Sequence, residues 1–117
     1  DGKDLYQYIR SLKPSIIINN RVAKRSVFKK DFGTPEQEHP NDSQDHIWEA
    51  CYTLNDSWGY KVNDDNWKSP EDVVSKLNEI NSNGGNLLLN VGPDGKGRIP
   101  KESVRILKSV GKIITKD

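Results

Sequence analysis

The sequence predicts an α/β fold in which parallel strands alternate with crossover helices. Three continuous apolar segments lack polar alternation, which is typical of strands buried on both faces of a parallel sheet. Segments with helical spacing precede, separate and follow them. The resulting order is helix, strand, long loop, strand, helix, strand, helix, which indicates an α/β sheet or barrel. Three strands rarely close on themselves, so we expect further strands that these 117 residues do not contain.

The first helix is predicted over residues 4–13, where apolar residues recur at spacings of three and four and Pro14 ends the pattern. The first strand is predicted over residues 15–21, because Ile16, Ile17 and Ile18 form a β-branched run. Its polar end would lie at the carboxyl edge of the sheet, where ligands of α/β proteins bind.

A polar region follows and is predicted to be a loop of roughly two dozen residues, a length that usually signals function or disorder. Its basic part, residues 22–30, lacks the aromatic platform of a single-strand binder. The net charge of the whole chain is +1, whereas nucleic-acid binders usually carry a strong basic excess. We therefore predict no nucleic-acid partner, although a basic-loop interaction module is a distant alternative.

The second strand is predicted over residues 47–54 and leads into an aromatic segment. Trp48 and Tyr52 are expected in the core. Trp58 is flanked by Ser, Gly and Tyr, so we expect it to be displayed at the strand end. An exposed aromatic ring suits the apolar face of a sugar.

A second helix is predicted from Ser69 as N-cap, with Pro70 at its first position, to a glycine end near residues 83–85. The third strand is predicted over residues 86–91. The last helix opens at Pro100. The apolar residues expected on the buried faces of the two helices are Val73, Val74, Leu77 and Ile80, and then Val104, Leu107, Val110 and Ile114.

Several familiar sites are excluded by spacing. Gly92, Gly95 and Gly97 lack the Ser or Thr of a phosphate loop, so a tight turn is the better interpretation. Residues 63–66 lack the alternating ligands of a calcium loop. The single Cys51, expected to be a buried inert thiol, matches no zinc pattern with the two histidines. We predict no metal, no cofactor and no membrane span.

Glu36 is the principal candidate for chemistry. It lies in the stretch Asp-Phe-Gly-Thr-Pro-Glu of residues 31–36, directly after a proline that fixes its own φ and disfavours helix before it. Such a backbone presents a carboxylate rigidly, as an acid/base catalyst requires. A solvated turn carboxylate is the alternative, because turns concentrate glycine, proline and acidic residues.

Several blocks in order resemble the later part of the catalytic domain of α-L-fucosidases of glycoside hydrolase family 29. The most specific are Trp-Gly-Tyr at residues 58–60 and Gly-Gly-Asn-Leu-Leu-Leu-Asn-Val-Gly-Pro at residues 84–93. The others lie at residues 5–10, 13–14, 18–21, 31–36 and 48–51. The resemblance covers nearly the whole chain. It implies a TIM-like (β/α) barrel, of which residues 1–117 would be the carboxyl-side portion.

The resemblance also implies an activity, the hydrolysis of terminal α-L-fucose from fucosylated oligosaccharides or glycoconjugates with retention of configuration. Glu36 matches the family acid/base, and retention requires a second carboxylate about 5 to 5.5 Å away. Arg21 matches an arginine that contacts fucose and the nucleophile region. Trp58 matches an aromatic residue under the sugar. Family members imply a periplasmic, secreted or lysosomal location.

Some candidates depart from the family pattern. Glu38 and Glu49 are weaker acid/base candidates, and Glu49 in a strand interior is expected to be structural. Asp1 superficially matches the family nucleophile, but it stands too close to Leu5. We therefore expect the nucleophile in an upstream part of the barrel, and this chain alone to be inactive. The alternative is a non-catalytic carbohydrate-binding or degenerate barrel protein that uses Arg21 and Trp58 for recognition.

Overall fold

The computed structural model describes residues 1–22, 31–38 and 46–115 of the chain. Residues 23–30 of the basic segment and residues 39–45 of the polar passage lie outside the described residues. The helices and strands are α1 (Gly2–Leu12), β1 (Glu49–Thr53), α2 (Pro70–Ser82), β2 (Asn86–Asn90) and α3 (Lys101–Ile114), with a short 3₁₀ turn at Asn20–Val22.

The centre of the fold is the unit formed by β1, α2 and β2. The two strands are parallel, with Glu49 opposite Asn86 and Thr53 opposite Asn90. Alternate strand residues pack with α2 through its buried Ile80; they are Ala50, Tyr52, Leu87 and Leu89. A helical crossover between parallel strands confirms the predicted α/β class.

Local sequence fixes both ends of α2. The Ser69 hydroxyl accepts a hydrogen bond from the Asp72 N–H at 3.0 Å, and the Asp72 carboxylate accepts one from the Ser69 N–H at 3.2 Å. Hydrogen bonding to Ser69, through its side chain and then its backbone, lowers the pKa of Asp72. Gly84, with φ of 77°, follows the helix in the left-handed region. The predicted boundaries of α2 are confirmed.

A second core cluster lies where α3 packs against α2. It contains Leu54, Val73, Ile106 and Val110. The predicted buried face of α3 is confirmed for Val110 but was wrong for Val104, Leu107 and Ile114, which are exposed. Ile106 and Val110, four positions apart on one side of α3, are its residues in the cluster.

The first predicted strand is not formed, and the structure has two strands in its described residues instead of three. Among the described residues of this segment, Asn19 alone forms a parallel bridge, with Phe32. The Ile18 N–H donates to the Asp31 carboxylate at 2.6 Å, so a side chain takes the place of a strand partner. Ile17 is 71% exposed, which contradicts burial on both faces within this chain.

The predicted long loop contains an extended segment, residues 32–36, that lies in parallel between residue 19 and β1. Its parallel bridges join Gly33 to Trp48 and Glu36 to Cys51. The Glu49 N–H donates to the Gly33 carbonyl at 2.9 Å, and the Cys51 N–H donates to the Pro35 carbonyl at 3.1 Å. Pro35 has no N–H to continue a ladder. The loop prediction was therefore wrong for this segment.

The helix α1 is amphipathic as predicted, but none of its residues is buried. Arg10 Nη2 donates to both carboxylate oxygens of Asp31 at 2.6 Å and so ties α1 to the start of the extended segment. Leu5, Tyr8 and Leu12 are exposed on α1.

Gly85 leaves the space that the buried Trp48 ring fills. A Cβ added at Gly85 would lie 2.3 Å from Trp48 Cζ2. We predict that Gly85→Ala lowers the free energy of unfolding by at least about 2 kcal/mol, because a packed core resists added volume. Gly95→Ala, where no atom lies within 4 Å of the added Cβ, should change it by less than about 0.5 kcal/mol. Urea denaturation tests this, and equal effects of the two substitutions would contradict it.

Candidate active site

A cavity of about 380 Å³, the edge cavity, lies on the side of the parallel segments that carries Glu49, Cys51 and Leu88, and it extends to residues at the carboxyl ends of these segments. The cavity is lined by Asn19, Arg21, Thr34, Glu36, Glu49, Cys51, Trp58 and Leu88. The structure thus brings together Glu36, Arg21 and Trp58, which are separated by up to 37 positions in the sequence.

Glu36 and Arg21 form an ion pair within the edge cavity. Arg21 Nη1 lies 2.9 Å from Glu36 Oε2, and their side chains are 43% and 39% exposed. The carboxylate is therefore accessible to a ligand and also held by a fixed positive charge. The planar guanidinium also offers further hydrogen-bond donors to a bound molecule.

Thr34 anchors Arg21 from behind. Arg21 Nε donates to Thr34 Oγ1 at 3.0 Å, and Arg21 Nη2 donates to the Thr34 carbonyl at 3.3 Å. The Thr34 hydroxyl donates in turn to Asn20 Oδ1 at 2.6 Å. Sequence analysis did not single out Thr34 or Asn20. Thr34 precedes Pro35-Glu36 and Asn20 precedes Arg21 in the sequence, and this proximity was the only available indication. It becomes informative only once the parallel alignment of the two segments is known.

The backbone on the far side of Glu36 is also fixed. Gln37 has φ of 55°, in the left-handed region that non-glycine residues rarely adopt. Its N–H donates to the Cys51 carbonyl at 2.9 Å, and its side-chain amide donates to Thr53 Oγ1 at 3.0 Å. Glu36 thus lies between a proline and a hydrogen-bonded left-handed residue, which supports the prediction of a rigidly presented carboxylate.

Trp58 lies in the segment after β1 and is 41% exposed, as expected for a displayed ring. Its carbonyl accepts a hydrogen bond from Asn90 Nδ2 at 2.7 Å. Gly92 lets the backbone of the neighbouring Gly59 approach closely, because a Cβ at Gly92 would lie 2.7 Å from the Gly59 carbonyl carbon. The end of β2 therefore sets the position of the tryptophan.

The remaining candidates have different surroundings. Cys51 is half-buried and lines the edge cavity, with Sγ 3.8 Å from Arg21 Nη2, so its expected burial was wrong. Glu49 also lines the edge cavity, whereas Glu38 is exposed and does not. Asp1 is the N-cap of α1, where its carboxylate accepts from the N–H groups of Lys3 and Asp4, and it does not line the cavity.

The glycine-rich turn after β2 carries its own anion. Asp94 Oδ1 accepts from the N–H groups of Lys96 and Arg98 at 2.8 and 3.0 Å. Hydrogen bonds from the backbone and then the side chain of Arg98 are the main cause of the lowered pKa of Asp94. These amides are engaged by a carboxylate, which supports the tight-turn interpretation over a phosphate loop.

In the part of the chain that the structure describes, no three His, Cys, Asp or Glu side chains are grouped as metal ligands would be. None of the described helices combines the length and apolarity needed to cross a membrane.

A carboxylate, an arginine and an exposed tryptophan at the carboxyl edge of parallel strands define an α/β protein with an edge binding site. A family model described as α-L-fucosidase matches residues 1–117. The chain belongs to the α-L-fucosidase family, which confirms the resemblance seen in the sequence.

Individual proteins agree with the family assignment. The chain is 38% identical over 106 residues to an α-L-fucosidase of Branchiostoma floridae, covering 86% of this chain and 24% of that protein. It matches the solved α-L-fucosidase isoenzyme 1 of Paenibacillus thiaminolyticus with a TM-score of 0.87 and 38% identity, over 97% of this chain and 30% of that one. It also matches AlfC of Lactobacillus casei, solved in complex with α-L-fucose product, with a TM-score of 0.82 and 34% identity, over 96% of this chain and 34% of that one. The chain thus spans about a quarter of the Branchiostoma relative.

We predict that Gly92→Ala loosens the segment that carries Trp58, because its added Cβ would collide with the backbone of Gly59 and Tyr60. The amides of residues 57–61 should exchange hydrogen at least about tenfold faster, equivalent to about 1.4 kcal/mol of lost protection. Hydrogen exchange measured by mass spectrometry or NMR tests this. Gly95→Ala is the control, and unchanged exchange in Gly92→Ala would show that Gly92 does not set the position of this segment.

Proposed function

We propose that this chain is the carboxyl-side portion of a TIM-like (β/α) barrel, the catalytic domain of a retaining α-L-fucosidase, and that it carries the acid/base Glu36. The observation that carries the proposal is the ion pair of Glu36 with Arg21 in a cavity shared with the exposed Trp58. The family assignment supplies the substrate, a terminal α-L-fucose on an oligosaccharide or glycoconjugate.

In the first step, a carboxylate supplied by the rest of the protein attacks the anomeric carbon of fucose. The bond to the glycosidic oxygen breaks, and Glu36 gives its proton to that oxygen, so the alcohol leaves as a neutral molecule. The products are a fucosyl ester of the nucleophile and an ionised Glu36. Arg21, at 2.9 Å, then stabilises the carboxylate that has formed.

In the second step, Glu36 acts as a base. It takes a proton from a water molecule whose oxygen attacks the anomeric carbon, and the ester bond to the nucleophile breaks. Fucose leaves with its configuration retained after two inversions, and Glu36 is protonated again. Trp58 offers an apolar surface to the sugar, and the donors of Arg21 orient its hydroxyl groups.

The remainder of the barrel is the partner that this arrangement requires. Large apolar side chains are exposed outside the two core clusters, among them Ile17 at 71% and Leu88 at 52% exposure. The apolar residues of α1 are uncovered as well, and such unpartnered apolar surface marks an interface. We infer that further strands and helices cover these surfaces and bring the nucleophile to the edge cavity.

Relatives guide the expected substrate and location. One solved relative is AlfC D200A in complex with Fuca(1,6)GlcNAc. Others are the plasma α-L-fucosidase of Rattus norvegicus and the tissue α-L-fucosidase of Homo sapiens, each 30% identical to this chain. We propose a fucosylated glycan substrate and a periplasmic, secreted or lysosomal location.

Replacing Glu36 tests the proposed role directly. In the full-length protein, Glu36→Ala should lower kcat/KM for a fucosylated glycan by about 10²- to 10⁴-fold, because its leaving group needs a proton. A dinitrophenyl fucoside should still form the fucosyl-enzyme, because its leaving group departs unprotonated. Azide should then restore turnover and give α-L-fucosyl azide, since azide needs no general base. Product stereochemistry by NMR completes the measurement.

The matched control is Glu38→Gln, because Glu38 lies two residues away and outside the edge cavity. It should retain near-normal turnover of the glycan. A β-configured azide product would identify Glu36 as the nucleophile instead. Tight fucose binding without any turnover in the parent protein would support the non-catalytic binder.

A second prediction concerns the isolated 117-residue chain. It should release no nitrophenol from nitrophenyl α-L-fucoside above the rate of its own Glu36→Ala variant, because one half of the carboxylate pair is supplied elsewhere. The full-length protein is the positive control. Turnover by the isolated chain that is lost on Glu36→Ala would place the nucleophile within these residues.

A further inference from the structure

Two buried polar side chains lie behind the ion pair of the edge cavity. Thr34 and Asn20 are each 6% exposed, although neither is apolar. Buried polar groups need hydrogen-bond partners, because an unpaired one costs the free energy of its lost hydration. On the cavity side, the hydrogen-bond partner of Thr34 is the guanidinium of Arg21.

The Thr34 hydroxyl donates one hydrogen bond and accepts another. The Thr34 hydroxyl gives its only proton to Asn20 Oδ1 at 2.6 Å, so its lone pairs are left to accept from Arg21 Nε at 3.0 Å. The carbonyl of Thr34 accepts from Arg21 Nη2 at 3.3 Å. Asn20 thus accepts the proton of the Thr34 hydroxyl, which leaves the lone pairs of that hydroxyl directed toward the arginine.

These contacts fix the plane of the guanidinium. Nε and Nη2 are engaged by one residue, and the group is planar, so the position of Nη1 follows from theirs. Nη1 is the nitrogen that lies 2.9 Å from Glu36 Oε2. An arginine of this exposure has many rotamers, and holding it in one of them normally costs side-chain entropy. Thr34 supplies two acceptors that offset this cost.

We propose that Thr34, oriented by Asn20, is a positioning residue that aims Arg21 at Glu36 in the reaction. This inference rests on the proposed function of Glu36 and Arg21. Thr34 lines the edge cavity, but its hydroxyl is hydrogen-bonded to Asn20 and Arg21 and not to the Glu36 carboxylate. Its effect on the reaction therefore passes through Arg21, and removing Arg21 should remove that effect.

A double-mutant cycle in the full-length protein tests the inference, with kcat/KM for nitrophenyl α-L-fucoside and for a fucosylated glycan as readouts. Thr34→Val keeps the shape and removes the hydroxyl, and it should lower kcat/KM by about 10- to 100-fold. Thr34→Ser keeps the hydroxyl and should stay within about threefold of the parent. In an Arg21→Ala background, Thr34→Val should change kcat/KM by less than about twofold, because contacting residues are not additive.

Thr34→Ala guards against a folding defect of the valine variant. It removes the same hydroxyl without placing a methyl group against Asn20, and it should reproduce the loss of rate and the coupling to Arg21. Ser103→Ala is the control for loss of a buried hydroxyl, because Ser103 lies on α3 and does not line the edge cavity. Its effect should multiply with that of Arg21→Ala, since distant sites are additive. Thermal melts of all variants measure the structural cost separately.

The outcomes separate this inference from the proposed function. The positioning role would be overturned if the fold-losses of kcat/KM in Thr34→Val and Arg21→Ala multiplied in the double variant, or if Thr34→Val kept the wild-type kcat/KM. Either result would leave Glu36 as the acid/base. Unchanged glycan turnover in both Glu36→Ala and Arg21→Ala would overturn the proposed function itself.

Discussion

The parallel alignment of residues 32–36 with β1 is the constraint on which the candidate site depends. Its backbone hydrogen bonds, from Glu49 to the Gly33 carbonyl and from Cys51 to the Pro35 carbonyl, bring the end of this segment to the end of the neighbouring strand. Glu36 reaches the sheet edge for this reason. Arg21 reaches the same edge because residue 19 pairs with Phe32 on the other side. Without this register, the carboxylate and the guanidinium would belong to separate loops.

Glycines explain much of the sequence pattern around this edge. Gly85 leaves room for the Trp48 ring, which packs in the core cluster that contains Ile80 of α2. Gly92 leaves room for the backbone next to Trp58, whose carbonyl is held by Asn90. The glycines of residues 84–93, the most specific sequence block of the chain, therefore allow close contacts with other segments. Through these contacts the end of β2 positions Trp58, which lies in a different segment.

The elements that depend on one local signal could be predicted from the sequence. The Ser-Pro start and glycine end of α2, the burial of Trp48 and Tyr52 and the exposure of Trp58 were all predicted from short patterns. Prediction failed where structure depends on partners. The isoleucine run was predicted to be a strand, yet the Asp31 carboxylate accepts from the Ile18 N–H, and Ile17 is left exposed by the residues that the structure describes. The extended segment was hidden by its glycine and proline, which local rules assign to turns. Thr34 and Asn20 could not be recognised, because their roles require two segments to be paired first.

Glu36 is proposed to act on the glycosidic oxygen of fucose within the edge cavity. A crystal structure of the full-length protein, made inactive at its nucleophile and bound to an intact fucoside, tests it most directly. We expect a Glu36 carboxylate oxygen about 2.6 to 3.2 Å from the glycosidic oxygen, with the sugar against Trp58. A glycosidic oxygen contacted by Glu38 or Glu49 instead, with Glu36 turned away from the sugar, would contradict the claim.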